Sequence, residues 1–144
     1  MIQTCIAFDG NCDEAIAFYS NALGATVKEI AYFKDAPPNA AAEDPWLSEH
    51  GGEFPPNFVM HSELEVDGQV FVMTDGAENP IGNDNITFLI RRDSPEDATR
   101  IFNVLAEGGE VTQPLAPAFW APLHGQVRDR YGILWGVMVE PAQP

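Results

Sequence analysis

The sequence predicts an α+β fold: two tandem βαβββ modules forming a curved mixed sheet around a cavity, with the helices on the outer face. Three observations carry that prediction. Two amphipathic segments share one helical register, each ends at glycine, and each sits within the same succession of extended runs. A length of 144 residues with 45% hydrophobic content suits one domain with a real core. The first module spans about residues 1–80 and the second about 81–144.

Gln3 to Phe8 alternates polar and apolar residues and stops at Asp9-Gly10-Asn11, a strand followed by a turn. A helix is expected over Asp13 to Leu23, because Ala15, Phe18, Tyr19, Ala22 and Leu23 share one face. Asn11 or Asp13 offers its N-cap and Gly24 its C-terminal stop. A strand follows from Thr26 to Phe33. Lys34 to Asn57 is rich in Pro, Ala, Gly and acids, with isolated Trp46 and Phe54. A loop of that length serves as a lid, a dimer contact or a plain flexible connection. Phe58 to Val66 and Gln69 to Thr74 form a hairpin across Asp67-Gly68, a strong two-residue turn signal. Asp75 to Asp84 is a connector.

The pattern then restarts. Asn85 to Arg91 is a strand, and Ser94-Pro95 opens a helix with Asp97 three residues past the cap. Ala98, Ile101, Phe102, Leu105 and Ala106 form its apolar face, and Gly108-Gly109 ends it. A strand near Glu110 to Gln113 and a hairpin from Phe119 to Glu140 complete the module, turning at Asp129-Arg130-Tyr131-Gly132. Each module covers one sheet face with a helix, so pairing the other faces encloses a cavity suited to a small molecule.

Charge narrows the partners. Seven Lys and Arg against 22 Asp and Glu give a formal charge of −15, which repels phosphate backbones and anionic lipid. No nucleic-acid or membrane role is expected, and the acidity reads as a solubility device. No apolar run approaches the roughly 20 residues needed to span a bilayer. MIQTCIAFDG lacks a basic segment followed by a long apolar one, so no signal peptide is expected and cytoplasmic placement is the default. Cys5 and Cys12 make neither a disulfide framework nor a metal set, and Cys5 reads as a small core residue.

Two constellations carry candidate chemistry. On the third strand Met60, Ser62, Leu64 and Val66 share one face, which should meet the helix; His61, Glu63 and Glu65 share the other. His61 and Glu63 are a candidate catalytic acid–base pair or part of a solvated strand face. In the closing hairpin His124, Gln126 and Arg128 share a face. Arg128 either holds an anionic ligand or pairs with a structural carboxylate such as Glu63 or Glu65. Phe119, Trp120, Trp135 and Tyr131 read as core, with Phe119 and Trp120 alternatively forming an apolar pocket wall. The candidate ligand-binding set is therefore Phe119, Trp120, Gln126 and Arg128.

The stretches DGNCDEAIAFYSNALGA, VMHSELEVDG, AEGGEVTQPL and FW followed by HGQVRDRYGILW carry a family resemblance. The chain resembles the vicinal oxygen chelate superfamily, the glyoxalase I, bleomycin-resistance and extradiol-dioxygenase fold. It looks most like the branch labelled 3-demethylubiquinone-9 3-methyltransferase-like. The resemblance covers nearly the whole chain outside Lys34–Asn57, and implies paired βαβββ modules and a homodimer. It also implies metal-ligand positions on the first and last strands of each module, which fall here at Gln3, Val72, Asn85 and Gly136, or two residues along at Thr74 or Thr87. Those residue types do not make a divalent-metal site, so no metal is expected. No G-x-G-x-x-G occurs, so no nucleotide-type cofactor is expected and the methyltransferase label is a name only. Arg128 stands where the family usually has a small polar residue, and Ala121-Pro122-Leu123 replaces its Gly-containing motif.

The expected function is metal-free binding of a small molecule. Two alternatives stand beside it: isomerase- or lyase-type acid–base chemistry at His61 and Glu63, or drug sequestration by an aromatic site.

Overall fold

Strand alternation and a borrowed helix cap build the first module. In this computed structural model, residues 1–36, 54–77 and 85–142 are described. Strand β1 (Thr4–Phe8) buries Ile6 and Phe8 and leaves Cys5 exposed on the opposite face. The expectation that Cys5 is core is thereby corrected: its neighbours Thr4 and Ile6 take the inward pleat. Helix α1 (Cys12–Leu23) buries Cys12, Ala15, Ile16, Tyr19, Ala22 and Leu23. Gly24 ends it in the left-handed conformation, its N–H donating to the Ser20 carbonyl at 3.1 Å.

Asn11 occupies the N-cap position without a side-chain bond. The carboxylate of Asp75, from the end of another strand, does that work. Its Oδ1 accepts from the Gly10 and Cys12 N–H groups at 2.8 and 3.0 Å, and its Oδ2 from Val59 N–H at 2.9 Å. Burial pushes the Asp75 carboxyl above its ordinary range, against the pull of these donors. Burial and the nearby Asp75 carboxylate also push the Cys12 thiol up, so it stays protonated and inert.

Strands β2 (Thr26–Tyr32), β3 (Val59–Val66) and β4 (Gln69–Asp75) complete the sheet in the order β1-β4-β3-β2, with β1 parallel to β4. Asp67 (φ 53°) and Gly68 (φ 78°) are both left-handed, the two-residue hairpin turn that their sequence predicts. Of Lys34–Asn57, the lid or dimer-contact expectation falls outside the described residues. Only its ends are described, where Phe33 stacks on Phe54 at 3.9 Å between ring centroids.

The second module repeats the plan with β5 (Phe88–Arg92), α2 (Pro95–Ala106), β6 (Glu110–Ala118), β7 (Ala121–Arg128) and β8 (Leu134–Val139). Its order is β5-β8-β7-β6, with β5 parallel to β8. Ser94 Oγ caps α2, accepting from Asp97 N–H at 3.2 Å. The helix buries Ala98, Ile101, Phe102 and Leu105. Each of the three larger side chains contributes about 1.5–3 kcal/mol by leaving water. Trp135 lies on the same helix-facing side, donating from Nε1 to Asp129 Oδ2 at 2.8 Å. Asp129 Oδ1 accepts from Tyr131 and Ile133 N–H, which holds the expected Asp129–Gly132 turn. Among the described residues each module thus has one buried carboxylate satisfied by three N–H donors.

Two boundaries differ most from expectation: the strand expected from Asn85 begins at Phe88, and the strand expected to end near Gln113 continues to Ala118. Strand β6 runs through Pro114 and Pro117 to Ala118, and Phe119-Trp120 is the turn before β7 rather than the start of a strand. β6 is the edge of its sheet, where a missing N–H costs no ladder bond. The α+β class and the tandem modules are as predicted, with the ladders closed as two four-stranded sheets. By contacts the chain divides into Met1–Pro80 and Ile81–Pro144.

Candidate functional site

Cross-strand register decides which side chains meet on the face of each sheet away from its helix. In the first module Ser62 and Leu64 are fully buried, so His61 and Glu63 occupy the opposite, helix-free face. Glu63 lies opposite Val72 of β4, and Val72 opposite Cys5 of β1. On its other side Glu63 lies opposite Glu29 of β2, with His61 opposite Ala31. A carboxylate row thus grades into an apolar strip of Val72, Cys5 and Ala7.

His61 Nε2 stands 4.0 Å from Glu63 Oε1, their side chains 42% and 34% exposed. That distance allows an ion pair but exceeds a hydrogen bond. The predicted pair is therefore brought onto one face in loose contact. Glu29 was not predicted to join it. Ligand atoms of Glu29, His61 and Glu63 all lie within 4.8 Å of one another. The available signal was the pairing of β2 with β3, which alternation within either strand does not contain.

The second module carries the equivalent row Gln113–Gln126–Gly136–Leu89. Gln126 Oε1 accepts from Thr112 Oγ1–H at 3.1 Å, and its amide nitrogen lies 3.5 Å from Thr87 Oγ1. His124 lies against the Trp120 ring at 4.6 Å between centroids. Trp120 is 44% exposed and Phe119 102% exposed at the hairpin tip, so neither is core. A turn has no second layer to cover it. Arg128 Nη1 donates to the Gly132 carbonyl at 2.9 Å, across its own turn. Glu65, its suggested partner, is instead paired with Lys28 at 3.2 Å.

Two of the four positions suggested for metal ligands, Val72 and Gly136, cannot hold an ion through a side chain. Val72 and Gly136 have no donor side chain, and one added at Gly136 would crowd its neighbours. A Cβ there would lie 3.0 Å from Leu89 Cδ1 and 3.4 Å from Thr87 Cγ2. Thr87, one of the shifted alternatives, turns its hydroxyl toward the Gln126 amide.

Comparison with known proteins agrees with this architecture. The chain is 29% identical over 142 residues to Protein YjdN of Escherichia coli, covering 96% of this chain and 95% of that one. The crystal structure of protein PA1353 from Pseudomonas aeruginosa matches with 33% identity and a TM-score of 0.77, covering 97% of each chain. A putative 3-demethylubiquinone-9 3-methyltransferase, PhnB protein, from Bacillus cereus has the same fold at 20% identity and a TM-score of 0.77, covering 96% and 98%. The family model of the Glyoxalase/Bleomycin resistance protein/Dioxygenase superfamily matches residues 1–137. The chain belongs to that superfamily.

Proposed function

We propose that the chain binds a small molecule on the helix-free faces of its sheets, using no metal at the four superfamily positions. The observation that carries this reading is the row in which Glu63 stands between a polar edge and the apolar strip of Val72 and Cys5. Such a face offers both apolar area and a few oriented polar groups, the usual composition of a ligand site. On the first module, taken by itself, the proposed ligand-orienting groups are His61 and Glu63. On the second, taken by itself, they are Gln126, Trp120, Phe119 and Arg128.

The test is ligand-induced thermal shift across a panel of metabolites and antibiotics. A ligand that stabilises the wild type should lose at least half of its shift in His61→Ala or Gln126→Ala. A shift untouched by either variant overturns the assignment. Antibiotic hits alone would favour drug sequestration.

Acid–base chemistry at His61 and Glu63 is the second reading, favoured by their placement on one face. It requires turnover of a bound ligand that Glu63→Gln abolishes while binding persists. The chain is also proposed to be a cytoplasmic homodimer. Exposed Val111 on edge strand β6 and Phe119 at its end support the dimer, which sedimentation equilibrium tests directly.

A further inference from the structure

We propose that Glu29, His61 and Glu63 form a binding site for a divalent transition-metal ion, at a place distinct from the four superfamily positions. The three residues offer two carboxylate oxygens and one imidazole nitrogen, with their ligand atoms all within 4.8 Å of one another. That donor set suits Zn²⁺ and its first-row neighbours, which accept nitrogen and oxygen ligands and leave open positions for water.

Two features of the strands go beyond the clustering itself. Glu29 and Glu63 are direct cross-strand neighbours, an arrangement of like charges that destabilises a sheet unless a cation lies between them. The segment Glu29–Ala31 is also bracketed by register irregularities, one between Val27 and Glu29 and one between Ala31 and Tyr32. Bulges re-aim side chains, and the first removes Lys28 from the ladder. The Lys28 ammonium goes to Glu65 at 3.2 Å, leaving Glu29 and Glu63 without it. Among the described residues the side chain that pairs with either carboxylate is His61, 4.0 Å from Glu63, and a neutral imidazole there offers a ligand nitrogen rather than a balancing charge. A divalent ion satisfies both carboxylates at once. Metal–ligand bonds of about 2.0–2.2 Å require the donors to draw closer, which rotation of these partly exposed side chains supplies.

The ion needs no small molecule, so failure here and failure of the ligand reading are separable. The full chain is stripped with chelator and titrated with ZnCl₂ by calorimetry, with thermal unfolding followed in parallel. The wild type should bind one Zn²⁺ per chain and be stabilised by it. Glu29→Gln and His61→Ala should each weaken binding at least about tenfold. Glu65→Gln, on the same face but paired with Lys28, should leave it unchanged. Metal-free Glu29→Gln should unfold no earlier than metal-free wild type, which separates lost ligation from lost folding. Absence of saturable binding in the wild type overturns the proposal. So does equal weakening by Glu65→Gln, which would mark diffuse attraction to an acidic surface.

Discussion

The two modules present the same cross-strand row with different chemistry. Glu29–Glu63–Val72–Cys5 in the first corresponds to Gln113–Gln126–Gly136–Leu89 in the second. Each carboxylate is matched by the amide of the same length, and each row has a histidine beside it, His61 or His124. Amides opposite one another exchange hydrogen bonds with neighbours, as Gln126 does with Thr112. Opposed carboxylates have only acceptors and need a cation. One topology thus yields a neutral row, whose Gln126 bonds to Thr112, and a row in which two carboxylates face one another.

The helix-facing sides differ too. Register makes Ser62 the counterpart of Gly125. Ser62 is fully buried and donates to the Met73 carbonyl at 2.7 Å. A Cβ at Gly125 would lie 2.8 Å from Phe102 Cε2 and 2.9 Å from Leu115 Cα. The second module packs helix and edge strand against a position where the first keeps a hydroxyl.

The largest expected effect breaks the buried carboxylates that the modules share in kind. Asp75→Ala strands the N–H groups of Gly10, Cys12 and Val59 and should cost about 3 kcal/mol, measured by urea unfolding. Asp129→Ala should cost about as much, through Tyr131, Ile133 and Trp135. A loss below about 1 kcal/mol in either would show that water replaces the carboxylate.

Next is the packing contrast. Gly125→Ala should cost about 1–3 kcal/mol because the nearest obstacle includes backbone, whereas Ser62→Ala loses one hydrogen bond worth about 1 kcal/mol. Equal losses at the two sites would deny the difference in packing.

A smaller, pH-dependent effect concerns Asp75 alone. Its carboxyl is raised on folding by burial, so its contribution to stability is full below the unfolded value of about 3.9. That contribution is lost as pH rises through the folded value. The stability of wild type relative to Asp75→Asn should therefore decline as pH is raised from acid toward neutrality. A flat or rising difference contradicts the burial argument.

The smallest effect exchanges the rows. Without metal, Glu63→Gln removes a like-charge pair and should stabilise by about 0.2–1 kcal/mol. Gln126→Glu, next to a neutral Gln113, should gain nothing.

Local signals made most of the fold legible. The Asp67-Gly68 turn, the Ser94 cap, the Gly24 stop and both helical faces follow from residues close in sequence, because their chemistry is local. Trp135 was legible as core for the same reason: its alternation with Val137 places both on one pleat. Phe119 and Trp120 were misread because aromatic character resembles core when the covering layer is unknown. Cys5 was misread although its own strand alternates.

Of the candidate site, the sequence by itself determined that His61 and Glu63 share a face, since strand periodicity requires it. It also determined that Val72 and Gly136 cannot ligate a metal, since neither has a donor side chain. Tertiary structure alone decided that Glu29 joins His61 and Glu63. That contact depends on a strand pairing across 34 positions of sequence, and on a bulge at Lys28 that shifts the register. Hydrogen bonds between distant strands set this juxtaposition, and no periodicity within either strand contains it.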